Sequence, residues 1–355
     1  MRLGRTLYDG HGRVLLRHGT LLRDAFIARL YPLFSFVYID DEESHGIEVP
    51  ETIPMELRLS VQNLISAEWQ RIRSQASFER VTFERRFADK LRRNMKNLLD
   101  VLNNTTIIEE DLASLASHDN STYVHSMNVT IYSLMIGSAM HLGDSTLIDL
   151  ALGAILHDIG KLWIPLDVLN KPDRLSLDEF ERMKRHTEIG HDILAQQIEL
   201  SYAVANCALQ HHERISGNGY PNGITGDDMH LFSKIIAVAD VYDAMVMDRP
   251  YREGCAPGDV MEYLFSRVGV DFDLDVVSLF SRKVALYPVG TNVVLSDNTS
   301  GIVARLLPDL PSRPIVRLLA DADGMPMEPT EVDLSQVLNL TITHSKGLAA
   351  MTVID

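Results

Sequence analysis

Residues 150–161 read Leu-Ala-Leu-Gly-Ala-Ile-Leu-His-Asp-Ile-Gly-Lys, an apolar run that stops on a histidine and an aspartate. Apolar residues up to Leu156 put this stretch in a helical core, and Gly160 supplies the helix end. Successive side chains on a helix point about 100° apart, so His157 and Asp158 reach one ion together only where the helix bends or stops. A carboxylate pressed into apolar surroundings is costly unless a cation or hydrogen bonds compensate it. The stretch therefore predicts an all-α domain and a cation site within it. The dipeptide alone proves little: His118-Asp119 and His191-Asp192 repeat it without the apolar approach and read as solvated pairs or caps.

Helical spacing continues around this stretch. Segments 145–157, 176–198, 200–212, 231–247 and 258–267 each read as one helix, in a region 107–285 almost free of β-type alternation. Upstream, residues 54–106 place Leu57, Val61, Leu64, Ile65, Trp69 and Ile72, then Leu91, Met95, Leu98 and Leu102, at spacings of three and four. This reads as a connecting amphipathic helix whose stripe either packs on its own domain or forms a homodimer seam through residues 54–104. Residues 1–53 carry short β-type runs broken at Asp9-Gly10 and Gly12, with a further run over 34–39, and read as a small mixed α/β region. Beyond Tyr287-Pro288 the runs at 292–295, 301–304 and 314–319 alternate with turn residues, so 286–355 reads as a small antiparallel β module. The fold class expected is mainly α, with a β-containing unit at each end.

The chain has 355 residues and a formal net charge of −16. Such a charge opposes polymeric nucleic acid on a broad basic surface, so an anionic substrate must meet a local positive pocket. Only Cys207 and Cys255 are present, outside any CxxC arrangement, which suits a reducing cytosol. No apolar run reaches the roughly 18 residues of a membrane helix, and Met1 to Arg5 leads into polar sequence rather than a secretory segment. A cytoplasmic location without membrane contact is expected.

Further ligand types follow in order. His211-His212-Glu213 is succeeded by Gly217-Asn218-Gly219-Tyr220-Pro221-Asn222-Gly223, a tight exposed loop of the kind that meets substrates. Asp240 ends the apolar run 235–239 where a core helix would present it inward, and Asp243 one turn later reads as its partner. His125 and His186 are single histidines that gain weight from these neighbours. Together His125, His157, Asp158, His186, His211, His212 and Asp240 suffice for two divalent cations, and imidazole with carboxylate accepts iron, manganese, zinc or nickel, with magnesium also compatible. Two adjacent cations are a device for cleaving phosphodiesters.

In this order, His157-Asp158-Ile159-Gly160-Lys161, His211-His212-Glu213-Arg214, Gly219-Tyr220-Pro221 and 240–244 through Arg249-Pro250-Tyr251-Arg252 resemble the HD-GYP subgroup of the HD-domain metal-dependent phosphohydrolases. The resemblance spans about residues 110 to 285. It implies an HD-domain helical bundle as catalytic core and a phosphodiesterase that hydrolyses cyclic di-GMP to pGpG, in many members onward to GMP, with iron or manganese. Carried over position by position, it makes the seven candidates metal ligands, with Asp158 bridging two ions. It makes Lys161, Arg249 and Arg252 phosphate-contacting cations, and Gly219 and Tyr220 part of the loop bordering the substrate. Hydroxide from water between the cations would attack the phosphate in line, with Asp158 and Lys161 catalytic. Members with three metals have a glutamate where this chain has Ser121, so two ions are expected. Ile215-Ser216 also departs from the pattern, and that change bears on substrate fit. A degenerate cyclic di-GMP sensor or partner-binding protein, and a phosphodiesterase for another cyclic dinucleotide, stay open as alternatives.

Overall fold

A computed structural model describes residues 1–9, 13–30, 37–42, 44–47, 53–75, 77–103, 121–171, 173–247, 254–308 and 310–346. Its largest hydrophobic core is built around α4 (Ser121–Ala139), in which Val129, Ile131, Leu134 and Ile136 are fully buried. A helix that is apolar on most sides belongs in the middle of a bundle. Around it pack α5 (Asp144–Leu156), α9 (Leu231–Val246) and α11 (Leu274–Lys283). Beyond α5 lie a short α6 (Leu166–Leu169), then α7 (Leu177–Ala195) against α8 (Tyr202–Gln210), and α10 (Pro257–Ser266) rests on α9. α7 opens on a capping box: the Ser176 hydroxyl accepts from the Glu179 N–H, and the Glu179 carboxylate accepts from the Ser176 N–H. The helices fall within a residue or a few of the segments expected from periodicity.

The expected single helix over 54–106 is corrected. The structure has two helices that pack on each other, α2 (Met55–Arg73) and α3 (Arg85–Leu102), parted by a 3-10 turn at Phe78–Arg80. No glycine or proline marks residues 74–84, so the break has a tertiary cause. Val81 and Phe83 turn into the core, and the buried Gln197 amide clasps the backbone between them. Its Oε1 accepts from Phe83 N at 2.7 Å and its Nε2 donates to Val81 O at 3.0 Å. The stripe that suggested a dimer seam, including Val61, Ile65, Ile72, Leu91, Met95 and Leu98, lies buried in the same core as α4 and α5. Those residues are consumed within the chain's own core.

The N-terminal unit contains β1 (Arg2–Leu3), β2 (Leu7–Tyr8), β3 (Val14–Leu16), α1 (Asp24–Leu30) and β4 (Ile39–Asp40), with β1 paired to β4 and β2 to β3. Leu3, Leu7, Leu30 and Val37 form its core; of the strand expected over 34–39, residues 34–36 lie outside the described residues, and only Ile39 falls in a strand, β4. The C-terminal module is a five-stranded antiparallel sheet ordered β8-β7-β6-β5-β9. Its strands are β5 (Asn292–Leu295), β6 (Ser300–Arg305), β7 (Ile315–Ala320), β8 (Pro326–Asp333) and β9 (Ile342–Lys346). Val293, Leu295, Val303 and Val316 give it a core of its own. It also touches the N-terminal unit: Ile47 packs against that core, and Arg317 Nη1 donates to His45 O at 2.8 Å. Among the described residues no helix is long and apolar enough to cross a membrane.

Candidate metal centre

Five helices bring the candidate ligands to one place. α4 carries His125, the end of α5 carries His157 and Asp158, α7 carries His186, the end of α8 carries His211 and His212, and α9 carries Asp240. α5 stops at Leu156, and Asp158 (φ −98°, ψ 10°) opens a 3-10 turn over Ile159–Trp163, so the vicinal pair turns toward one space. That turn lies against α7 because position 160 is glycine. A Cβ there would sit 1.9 Å from His186 O and 2.7 Å from Gly190 N. The close approach is what sets Asp158 beside His186.

The histidine tautomers follow from their partners. His157 Nδ1 lies 2.6 Å from Ala154 O, His186 Nδ1 2.6 Å from Met183 O, and His211 Nδ1 3.0 Å from the carbonyls of Cys207 and Ala208. A carbonyl only accepts, so each Nδ1 carries the proton and each Nε2 presents a lone pair. His186 Nε2 and His211 Nε2 then face each other at 3.3 Å as two acceptors. His157 Nε2 and Asp158 Oδ1 are buried without a hydrogen-bond partner. Acceptors turned on acceptors in a buried space repel unless a cation lies among them. The residues therefore fit divalent metal, and the donor chemistry suits iron, manganese, zinc or nickel.

The ligand atoms fall into two groups, His186 with His211 and His212, and His125 with His157 and Asp158, each mutually within 4.8 Å. Asp158 faces both. Its Oδ1 is 3.5 Å from His186 Nε2 and 3.7 Å from His211 Nε2, while Oδ2 is 3.4 Å from His157 Nε2 and 3.9 Å from His125 Nε2. Asp240 spans a second line, with Oδ1 3.1 Å from His125 Nε2 and Oδ2 4.0 Å from His212 Nδ1. Lys161 Nζ stands at the rim, 2.5 Å from Asp158 Oδ2.

Burial decides most protonation states here. It pushes His186 down to about 4 and His212 down to about 3, and holds His211 well below its usual range, so these imidazoles are neutral at pH 7. Burial also opposes charge on His125, but hydrogen bonds with Asp240 and Asp243 outweigh it and raise that histidine to about 10. For Asp158, burial is outweighed by Lys161, His157 and His186, and for Asp240 by His125 and the neighbouring histidines. Both stay well below the ordinary carboxylate range.

Three groups that the sequence did not mark, or marked for another partner, hold this arrangement. Asp243 was expected beside Asp240; instead its Oδ2 lies 2.6 Å from His125 Nδ1, and its Oδ1 accepts from Asn128 Nδ2 at 2.8 Å. Asn128, one turn beyond His125 on α4, gave no sequence signal apart from being polar in an apolar helix. Glu213 is fully buried, and its Oε1 accepts from the N–H groups of Asn222 (2.8 Å) and Gly223 (3.1 Å), which pins the loop after the cis Tyr220-Pro221 bond. Position 219 has to be glycine, since a Cβ would fall 2.4 Å from Glu213 Cα. Tyr220 thereby stacks on His212, ring centroids 4.7 Å apart at 29°. Ile215 and Ser216 are tied through their N–H groups to Asp271 O and Val270 O. His191, one of the control histidines, meets Asp192 and Tyr202 and belongs to neither ligand group. Arg249, Arg252 and His118-Asp119 lie outside the described residues, as does the Ser121 side chain.

Comparison with known proteins agrees with this architecture. Residues 106–276 match the family described as HD domain, and residues 292–349 match a KOW domain associated with HD domain. The cyclic di-GMP phosphodiesterase PA4108 of Pseudomonas aeruginosa is 33% identical over 222 residues, which are 59% of this chain and 53% of that protein. The 3'3'-cGAMP-specific phosphodiesterase 3 of Vibrio cholerae is 30% identical over 164 residues, 46% of this chain and 35% of that protein. The chain thus spans about half the length of the first relative and about a third of the second. Among solved structures, Bd1817, a HDG"Y"P protein from Bdellovibrio bacteriovorus, shares the fold. Its TM-score is 0.51 at 17% identity, covering 79% of this chain and 94% of that one.

Proposed function

The chain belongs to the HD-domain family in its HD-GYP form, and on that premise we propose that it is a metal-dependent phosphodiesterase that hydrolyses cyclic di-GMP to pGpG. The observation that carries this reading is the Asp158 carboxylate, with one oxygen toward His186 and His211 and the other toward His157 and His125. Such a carboxylate suits a ligand shared between two cations. We assign His186, His211 and His212 to one ion and His125 and His157 to the other, with Asp158 common to both and Asp240 between His125 and His212. Iron or manganese is the expected metal.

Divalent cations bound among these ligands supply Lewis acidity toward the phosphate and make water nucleophilic near neutral pH. The protein's own work is to keep His186, His211 and His212 neutral by burial and to fix the tautomers of His157, His186 and His211 by carbonyl partners, so that their lone pairs stand ready, while Asp243 orients His125. Lys161, 28% exposed at its side chain, offers its ammonium to a phosphate oxygen and offsets the charge that builds on the diester under attack. Glu213 sets the loop that carries Tyr220, and Tyr220 walls the substrate side of His212. Arg249 and Arg252 are assigned to the phosphates on their sequence motif.

The test is metal analysis of anaerobically purified protein together with turnover of cyclic di-GMP, for the natural sequence and for Asp158→Ala. About two equivalents of metal and a rate lost in the variant are expected. Metal and cyclic di-GMP bound with no turnover of any cyclic dinucleotide would replace the enzyme reading with that of a sensor.

A further inference from the structure

A run of rings leads outward from the metal centre. His212 stacks on Tyr220, and Tyr220 meets Phe180 edge to face at 6.0 Å and 79°. Lys184 Nζ stands over both outer rings, 4.8 Å from the Phe180 centroid and 5.5 Å from that of Tyr220. Phe180 and Lys184 are one turn apart on α7, the helix that also delivers His186. At the outer end of this run Phe180 is 40% exposed, and Leu177 one turn before it is 85% exposed. An exposed apolar and aromatic rim with a cation in it, continuous with a phosphate-cleaving centre, has the composition of a nucleobase platform.

We propose that Phe180, Tyr220 and Lys184 form a base subsite that receives one guanine of a cyclic dinucleotide. The subsite rests on the phosphodiesterase reading above and extends it from the phosphate to the base. Phe180 and Tyr220 supply stacking surface, which is indifferent to the base because every base has a π-face. Lys184 supplies the choice. An ammonium only donates hydrogen bonds; guanine turns two adjacent acceptors, N7 and O6, toward such a donor, whereas adenine sets an amino donor beside its N7. The partner of Lys184 is Glu181 at 2.7 Å, on a carboxylate 68% exposed. Lys184 itself is 25% exposed at its side chain, and a single i,i+3 pair to so open a carboxylate holds the ammonium weakly enough for it to turn to a base.

The experiment measures kcat and KM on cyclic di-GMP, 3'3'-cGAMP and cyclic di-AMP for the metal-loaded full chain and for Phe180→Ala, Phe180→Tyr and Lys184→Met. Metal content is determined for each variant. Phe180→Ala is expected to raise KM for all three substrates by about tenfold, the effect of losing one base–aromatic stack, with metal content kept. Phe180→Tyr keeps a ring and is expected to restore KM. Lys184→Met is expected to lower the preference for guanine over adenine by about tenfold. KM and preference within twofold of the natural protein in all three variants would overturn the subsite while leaving the phosphodiesterase reading intact. A natural protein that cleaves bis(p-nitrophenyl) phosphate but no cyclic dinucleotide would sink that parent reading, and the subsite with it.

Discussion

Replacing Gly160 by alanine tests how the centre is assembled. The added Cβ would lie 1.9 Å from His186 O, 2.8 Å from His186 C and 2.7 Å from Gly190 N, all of them backbone atoms. Ordinary contact begins near 3.4 Å, so the 3-10 turn and α7 must part by roughly 1.5 Å, and no side chain can rotate to spare them. Overpacking of this kind costs about 1–3 kcal/mol, and the upper end applies where rigid backbone meets rigid backbone. In a domain of this size each kcal/mol moves the melting temperature by about 2–4 °C, so a loss of about 6–12 °C is expected by thermal unfolding. The turn carries Asp158 and the helix carries His186, now 3.5 Å apart, so bound metal should fall as well when measured at a temperature where the variant is folded. Gly143→Ala is the comparison, because a Cβ there meets nothing within 4 Å. Natural melting temperature and metal content in Gly160→Ala would refute the claim that this contact positions the ligands.

Two further outcomes follow from groups outside the ligand set. Glu213→Ala strips two backbone N–H groups of their acceptor and should raise KM for cyclic di-GMP more than it lowers metal content. Glu213→Gln, which keeps an acceptor oxygen, should recover most of the loss, and equal effects of the two would remove Glu213 as the positioning residue of the loop. Glu179 is lowered to about 2, first by the Lys171 ammonium and then by the Ser176 N–H. A carboxylate lowered on folding contributes stability that is complete above its unfolded value, about 4.3, and fades as pH falls toward 2. The melting-temperature gap between the natural chain and Glu179→Gln should therefore be widest at pH 6 and shrink by pH 3; a gap constant over that interval would show that the cap works without charge.

Much of the centre was legible because its chemistry is local. His157-Asp158 announces itself by the apolar run before it and the glycine after it, and the structure ends α5 there, although Gly160 lies inside the following 3-10 turn and serves the contact with α7 rather than the helix end. Helix extents also come from local spacing, which is why α5, α7, α8, α9 and α10 fall close to expectation. Asp243 could not be read correctly, since its partner His125 is 118 residues away in sequence and proximity within a helix pointed to Asp240 instead. Glu213 looked like the polar end of a motif. Its burial is created by a loop that folds back nine and ten residues later to meet its carboxylate. The helix break at 74–84 was hidden because its cause, the Gln197 amide, lies more than a hundred residues downstream.

The bond from Arg317 to the carbonyl of His45 joins residues 272 positions apart. Closing so long a loop costs entropy that rises with its length, and the contact forms most readily once the chain between is compact. On a growing chain the first unit is complete long before its distant partner strand exists, so it must stand on its own small core of Leu3, Leu7, Leu30 and Val37 while the helical bundle forms. The contact between these two units is therefore expected to form last, set by the order of synthesis rather than by the order of stability.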